Sequence, residues 1–269
     1  MPEGQLADCW AGLRAAGRAA LIPYITAGHP GWDATREFLA GAPGFGADIV
    51  ELGVPWSDPV ADGPVIQAST HAALAAGVTL RGVLDLLREA RPSVPVVLFT
   101  YLNPVLAMGP VRFAAAAREA GAAGVLVVDL PVGADPATEN ALAAGSLPLV
   151  RLVAPTTPPA RLARIAAASR GFVYLVARLG VTGASRAVAS DIGVRVAAVR
   201  AATALPVAVG FGISAPSQAA EVAALADGVV VGSAVVDRMS AGGVMAAGAW
   251  LQELRHAMDV ARPAQAARA

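Results

Sequence analysis

The sequence predicts an α/β protein, a single (β/α)8 TIM barrel. Eight apolar, β-branched runs recur along the 269 residues, and Ala-rich segments with helical spacing separate them. The runs are almost continuously hydrophobic, which is typical of strands buried on both faces of a parallel sheet. A barrel of this kind commonly takes about 250 residues, so one domain accounts for the whole chain, 1–269.

The predicted strands follow one another without a linker that would divide the chain. They are Ala20–Thr26, Ala47–Leu52, Val94–Thr100, Gly124–Asp129, Leu147–Val153, Phe172–Ala177, Pro206–Gly210 and Gly228–Gly232. Helical spacing is clearest over Thr70–Ala90, Val111–Ala120, Pro159–Ala168, Ile192–Thr203 and Ala215–Leu225. Strand therefore alternates with helix, as the barrel requires.

The ends of the chain and the helix starts carry their own signals. An amphipathic leader helix is expected over residues 1–17, and the Ala/Arg-rich, aperiodic residues 261–269 predict a disordered tail. Thr157 and Ser214 stand just before Pro residues that open helices. We expect their hydroxyl groups to cap those helices, since a capping hydroxyl and a Pro in the first turn are typical of helix N-termini.

The charged residues exclude several classes of function. The 20 acidic residues balance 20 basic ones, and every basic residue is Arg. A Schiff-base aldolase, a pyridoxal-phosphate enzyme, a Walker-A nucleotide site and a kinase each need a Lys amine, so none is expected in its usual form. The Arg residues are scattered among Asp and Glu, so no nucleic-acid partner is expected.

No metal site or cofactor is expected either. Cys9 is the only cysteine, and His29, His71 and His256 are far apart in sequence without a metal-ligand pattern. The chain has no apolar stretch of about 18 residues, and its N-terminus lacks a basic region followed by an apolar run. We therefore expect no membrane partner and a cytoplasmic protein.

A candidate proton-transfer group ends the second predicted strand. Glu51 lies between Val50 and Leu52, and a loop rich in Pro, Gly and carboxylates follows it over residues 53–64. Reactive groups of a barrel project from the C-terminal ends of the strands. If Glu51 points into the barrel mouth, burial raises its pKa toward neutrality, and it can both give and take a proton. The alternative is a buried ion pair between Glu51 and an Arg.

A candidate phosphate site follows strands six to eight. Gly-rich turns stand at three consecutive strand ends, at residues 179–185, 210–214 and 232–236. Glycine lets the backbone approach an anion, and a helix that begins after Gly232 would direct N–H groups and its positive dipole end at it. The first of the turns could also close over the ligand as a lid.

The chain resembles a known family, the tryptophan synthase alpha subunits. The resemblance covers most of the chain, and the shared motifs occur in the family's order. They are Pro23-Tyr-Ile-Thr-Ala-Gly28, the run from Glu51 to Gln67 that includes Asp62-Gly-Pro, Tyr101-Leu-Asn-Pro104, Asp129-Leu-Pro131, the run from Tyr174 to Gly183, Gly210-Phe-Gly-Ile-Ser-Ala-Pro216 and Gly232-Ser-Ala-Val.

The resemblance implies a lyase that cleaves indole-3-glycerol phosphate to indole and glyceraldehyde 3-phosphate by a retro-aldol reaction. Glu51 would be the general acid/base, and Asp62 would accept a hydrogen bond from the indole N–H. Without the resemblance, Asp62 reads as a turn residue before Gly63. The implied substrate contacts are Tyr174 beside the cleaved bond, Phe211 and Tyr101 along the indole slot, the backbone of Gly183, Gly212 and Gly232 with the Ser233 hydroxyl at the phosphate, and Thr182 bonded to Asp62.

The resemblance also implies a partner, the tryptophan synthase beta subunit, in an α2β2 heterotetramer. The loop around Asp58-Pro59 and the segment Asn103-Pro104 would face it. Two alternatives stay open: a stand-alone lyase that releases indole for another pathway, and a weakly active barrel that serves as an allosteric subunit. The chain departs from the family at His29, where an Asp is usual, and we interpret His29 as a loop residue without a catalytic role.

Overall fold

A computed structural model describes residues 4–176, 185–210 and 212–262, with the backbone alone for 185–190. In these residues eight parallel strands pair in chain order, and β1 pairs with β8 to close a barrel. The strands are β1 Ala20–Thr26, β2 Val50–Gly53, β3 Val96–Thr100, β4 Gly124–Val127, β5 Leu149–Val153, β6 Val173–Val176, β7 Val207–Gly210 and β8 Gly228–Val231. The predicted (β/α)8 barrel is confirmed.

The described residues also form eleven helices. These are α1 Gly4–Ala15, α2 Trp32–Gly41, α3 Pro64–Ala75, α4 Leu80–Ala90, α5 Leu102–Met108, α6 Pro110–Glu119, α7 Pro136–Ala144, α8 Pro159–Ala168, α9 Ser185–Ala202, α10 Pro216–Leu225 and α11 Ser233–Ala261. Helix α11 bends at Gly243, whose backbone is not helical, and includes Ala261, the first residue of the predicted tail. None of them is long and apolar enough to cross a membrane.

Two local predictions are wrong. The helix expected over residues 70–90 is two helices, because the chain turns at Gly77 with φ +82° and Thr79 caps α4 by accepting a hydrogen bond from the Gly82 N–H. The hydroxyl caps are also absent. The Thr157 hydroxyl accepts from the Ala154 N–H in its own loop. The N-terminus of α10 is held by the side-chain Oε1 atom of Gln218, which accepts from the N–H groups of residues 214 and 215.

The apolar residues of the strands form two layers. Alternate residues point outward against the helices, as Val50 and Leu52 do on β2, while Ile49 and its counterparts on other strands fill the barrel. Because successive side chains of a strand point to opposite faces, the inward set reaches the C-terminal end of β2 at Glu51. The alternation therefore places this carboxylate in the barrel mouth.

Helix α1 closes the opposite end of the barrel. Its buried residues Leu6, Trp10 and Leu13 belong to the same apolar cluster as the inward residues of the strands. The Trp10 ring lies 5.6 Å from the ring of Phe172, which precedes β6. The leader helix is thus a plug that keeps water from the lower end of the barrel interior.

A group of ion pairs ties the last helix to the start of the sheet. The Arg255 guanidinium on α11 donates to the Ala19 carbonyl oxygen at 2.8 Å, to Asp48 at 3.3 Å and to Asp259 at 2.5 Å. Arg18 also binds Asp259, at 3.1 Å. Arg255 is 7% exposed, so these contacts form at the edge of the core rather than in open solvent.

Candidate active site

Glu51 is a buried carboxylate without a counterion in the described part of the chain. It is 1% exposed, and its Oε1 atom has no hydrogen-bond partner there. Burial raises the pKa of this carboxyl group from its ordinary 4.5 to about 8. The ion pair considered as the alternative is not formed with any described Arg. A carboxyl group with a pKa near neutrality is suited to both halves of a proton transfer.

Asp62 lies in the loop between β2 and α3, and the loop is held by that helix. The Gln67 side-chain amide donates to the Asp62 carbonyl oxygen at 2.8 Å and to the Pro59 carbonyl oxygen at 3.3 Å. Burial raises the pKa of the Asp62 carboxyl group to about 6, and a hydrogen bond from Tyr101 lowers it. Two carboxyl groups in one mouth therefore have different proton affinities.

Tyr101 follows β3 and contacts the Asp62 loop from the other side. Its hydroxyl oxygen accepts a hydrogen bond at 3.1 Å from the N–H of Ala61, the residue before Asp62. Asp129 caps the helix that begins after Tyr101, accepting from the Leu102 N–H at 2.6 Å. Tyr101 thus holds the backbone of the Asp62 loop, a contact that the sequence did not indicate, and its place along an indole slot stays a prediction.

Two buried tyrosines stand on opposite walls of the mouth, each above a glycine. A Cβ at Gly210 would lie 2.4 Å from the Tyr174 hydroxyl oxygen, and a Cβ at Gly53 would lie 2.1 Å from that of Tyr24. Only glycine leaves room for a hydroxyl group at these positions. Burial and the charges of Glu51 and Asp62 raise the pKa of both phenols, which therefore keep their protons.

Sequence reasoning did not single out Tyr24, although its hydroxyl group lies at the mouth of the barrel beside Gly53. It pairs with Glu51 in the β1–β2 register, and its ring meets that of Phe99 edge-on at 5.3 Å. The sequence did carry a signal for this position. Tyr24 lies within a motif shared with the family, and it follows Ile22 by two residues on β1, so both side chains point into the barrel. An aromatic residue in an apolar strand nevertheless reads as core.

Three predicted phosphate contacts surround the end of β8 and the loop after β7. Gly232 immediately precedes α11, and Ser233 is the first residue of that helix. The first N–H groups of a helix lack acceptors within it, so they are available to an anion. Gly212, with φ +78°, occupies the left-handed region that favours glycine. A Cβ at Gly232 would lie 3.7 Å from the Cβ of Tyr24, the residue that pairs with Glu51 in the β1–β2 register.

Three predicted site residues, Thr182, Gly183 and Phe211, lie outside the described residues. His29 does lie within them, at the end of the barrel that holds Glu51. Its Nε2 atom is 2.8 Å from the Ser240 hydroxyl oxygen on α11, and Ser240 donates its proton to the Val236 carbonyl oxygen. Nε2 therefore carries a proton, and burial lowers the pKa of the ring.

A family model described as tryptophan synthase alpha chain matches residues 10–262. The chain belongs to the tryptophan synthase alpha chain family. A relative from Alkalilimnicola ehrlichii with that name is 54% identical over 230 residues, 84% of each chain. One from Caulobacter sp. is 45% identical and covers 100% of this chain and 98% of its own.

Solved structures agree with this assignment. Tryptophan synthase subunit alpha from Legionella pneumophila superposes with a TM-score of 0.88 at 34% identity, covering 95% of this chain and 98% of its own. Tryptophan synthase from M. tuberculosis in an aminoacrylate-bound form gives a TM-score of 0.85 at 36% identity, covering 94% and 98%. As a family member, the chain is a lyase of tryptophan biosynthesis that cleaves indole-3-glycerol phosphate. It has the role of the alpha subunit.

Proposed function

We propose that Glu51 is the general acid/base of this cleavage. The observation that carries the proposal is its isolation: a buried carboxyl group, without a partner in the described residues, whose pKa is about 8. In its protonated form Glu51 gives a proton to the indole carbon that bears the glycerol chain. In its ionised form it removes the proton of the glycerol hydroxyl, whose oxygen becomes the aldehyde oxygen as the carbon–carbon bond breaks.

Asp62 has the complementary role. Its lower pKa, about 6, leaves it ionised at neutral pH, where it can accept a hydrogen bond from the indole N–H. That bond favours the tautomer of the ring that takes up the electrons of the breaking bond. Two carboxyl groups whose surroundings separate their pKa values can serve as acid/base and as fixed acceptor at the same pH.

The remaining contacts position the substrate. The phosphate rests on backbone N–H groups at Gly183, Gly212 and Gly232 and on the Ser233 hydroxyl, while Tyr174 and Phe211 enclose the indole. Proton transfer by a placed carboxyl group contributes about 10² to 10⁴ in rate, so positioning in a dry pocket must supply the rest. Thr182 couples lid closure to the site by bonding to Asp62.

The proposed partner is a tryptophan synthase beta subunit in an α2β2 complex, working in the cytoplasm. Family members act as the alpha part of a complex with a beta subunit. In this chain, Val60 beside Pro59 is 83% exposed, and Leu106, two residues after Pro104, is 45% exposed. Exposed apolar side chains on two neighbouring segments at the mouth support a binding surface for the partner there.

Release of indole from indole-3-glycerol phosphate tests the proposal, with the protein alone and with a tryptophan synthase beta subunit. The parent protein should release indole slowly alone and much faster with the partner. Glu51→Gln should abolish release in both conditions while still activating the beta reaction. Glu253→Gln, on the exposed face of α11, is the matched control and should behave as the parent.

The other outcomes separate the alternatives. Fast release by the protein alone, unchanged by the partner, would support the stand-alone lyase. Activation of the beta subunit without any indole release by the parent would support the allosteric subunit. Retention of turnover by Glu51→Gln would refute the proposed role of this residue.

A further inference from the structure

A cavity of about 50 Å³ lies at the end of the barrel where the strands begin, opposite the end that holds Glu51. Helix α1 forms one wall, the residues just before β1, β7 and β8 form a second, and the end of α11 forms a third. One water molecule needs about 10–15 Å³ of such space, so the cavity has room for a small polyatomic ion.

Positive charge predominates around this cavity. The guanidinium groups of Arg14, Arg18 and Arg262 line it, against the single carboxylate of Asp227. Both oxygens of Asp227 already have partners. Its Oδ1 atom accepts from Arg200 at 2.9 Å, and its Oδ2 atom accepts from the N–H of the first residue of β7 at 2.9 Å. Asp227 therefore neutralises an Arg outside the lining rather than the three within it.

The three lining cations retain N–H groups without an acceptor in the described part of the chain. Arg18 binds Asp259 through Nε and Nη2, at 3.1 and 3.4 Å, and this leaves its Nη1 atom. Arg262 donates from Nη1 to the Ala226 carbonyl oxygen at 3.0 Å, which leaves Nη2 and Nε. Arg14, on the exposed side of α1, has its whole guanidinium group to offer. Charged donors from three segments of the chain thus border one small space.

Trp10 adds a neutral donor to the same cavity. It is 5% exposed and lines the cavity, and its Nε1 atom has no hydrogen-bond partner in the residues that the structure describes. Its ring packs against β8, where a Cβ at Gly228 would lie 2.9 Å from the Cη2 atom, so the indole has little room to turn toward another acceptor. A buried donor without an acceptor costs free energy, which an anion beside it would recover.

We propose that this cavity binds a small oxyanion of the phosphate class, either free phosphate or a phosphate monoester. A tetrahedral oxyanion accepts hydrogen bonds from several directions, and the fork of a guanidinium group matches two of its oxygens. The bound anion joins α1, the start of the sheet and the end of α11, which are far apart in sequence. It therefore stabilises the folded protein, and it does so at the end of the barrel opposite the proposed catalytic groups.

The indole N–H of Trp10 reports binding at this cavity in the full-length protein. The chain has four Trp residues, so a ¹⁵N–¹H spectrum contains four indole signals, and the one that Trp10→Phe lacks belongs to Trp10. Titration with inorganic phosphate at constant ionic strength should shift this signal to saturation. The backbone amide of Gly232, at the other end of the barrel, reports separately on phosphate at the proposed active site.

Two Arg variants test the cationic lining. Arg14→Gln and Arg262→Gln should each weaken phosphate binding at the Trp10 signal about tenfold, because each removes a hydrogen bond from a charged group. Binding seen at the Gly232 amide should not change. Arg118→Gln is the matched control, since Arg118 is exposed in the last turn of α6, as Arg14 is in α1, but does not line the cavity. It should keep the parent affinity.

Other anions define the class of ligand. Acetate has one planar carboxylate and less charge, so it should bind more weakly than phosphate. Tighter binding of glycerol 3-phosphate than of free phosphate would identify a phosphate ester as the ligand, and weaker binding would identify the free ion. The proposal is wrong if phosphate does not saturate the Trp10 signal, if the variant with both Arg14→Gln and Arg262→Gln keeps the parent affinity, or if acetate binds as tightly as phosphate.

Discussion

Replacing Glu51 by Gln should make the protein more stable at neutral pH. The folded protein raises the pKa of this carboxyl group from 4.5 to about 8, so the folded state retains a proton there that the unfolded state has released. Its contribution to stability is therefore lost as pH rises between about pH 4.5 and 8. Each unit of pKa corresponds to about 1.4 kcal/mol, which gives a cost of about 3 kcal/mol at pH 7.

Urea unfolding of the parent and of Glu51→Gln at several pH values measures this cost directly. Gln cannot ionise, so the stability difference in favour of the variant should grow by about 2–3 kcal/mol between pH 5 and pH 7. The buried amide carries a pH-independent penalty of about 1–3 kcal/mol, which shifts the whole difference but not its slope. Effects of all other titrating groups cancel, because both proteins share them.

Glu253→Gln, at an exposed position on α11, is again the matched control. A stability difference between parent and Glu51→Gln that stays constant from pH 5 to pH 7 would refute the reasoning. It would mean that Glu51 is ionised in the folded protein with an ordinary pKa, and that another group supplies the proton.

Three other changes give separate tests. Gly53→Ala places a Cβ 2.1 Å from the Tyr24 hydroxyl oxygen, so Tyr24 must move, and kcat should fall at least tenfold with a loss of about 1–3 kcal/mol in urea unfolding. Arg255→Met leaves Asp48 without its cation and should lower the free energy of unfolding by about 3 kcal/mol. The double variant that adds Asp48→Asn should recover part of this loss, and equal losses in the single and double variants would contradict the ion-pair argument. Gln67→Leu frees the backbone of the Asp62 loop, so kcat/KM should fall while thermal unfolding changes little, and unchanged kinetics would exclude this clamp.

The fold was predictable because the barrel repeats one simple pattern. Continuous apolar runs such as Val94–Thr100 are buried completely only where both faces of a strand are covered. Eight such strands in one chain are compatible with few folds other than the barrel. Glu51 was predictable for the same reason. Side chains alternate along a strand, so when the apolar Val50 and Leu52 face the helices, the carboxylate between them faces the interior of the barrel. The break at Gly77 was missed because the Ala-rich sequence before it and the Leu-rich sequence after it both keep a helical period.

The contacts of the site were less predictable, because they depend on which loops meet across the mouth. Tyr101 is separated from the Asp62 loop by a strand and two helices, and nothing local to either segment indicates that Tyr101 binds the backbone of that loop. Tyr24 reads as a core residue in the sequence, and the room for its hydroxyl group follows only from the missing side chain at Gly53 on the next strand. These contacts depend on how neighbouring strands and loops are aligned with one another, and a single sequence does not show that alignment.

Closure of the barrel by β1 and β8 has a consequence for synthesis of the chain. The first strand is made early, yet one of its two edges has no partner until Gly228–Val231 has left the ribosome. Contacts between such distant segments form slowly, and an open strand edge invites association with other chains. Tyr24 and Glu51 can be paired before that moment, but the Gly232–Ser233 cradle cannot yet exist. A nascent chain can therefore pair the two strands that carry Tyr24 and Glu51 well before the end of β8, where the proposed phosphate site lies, has been made.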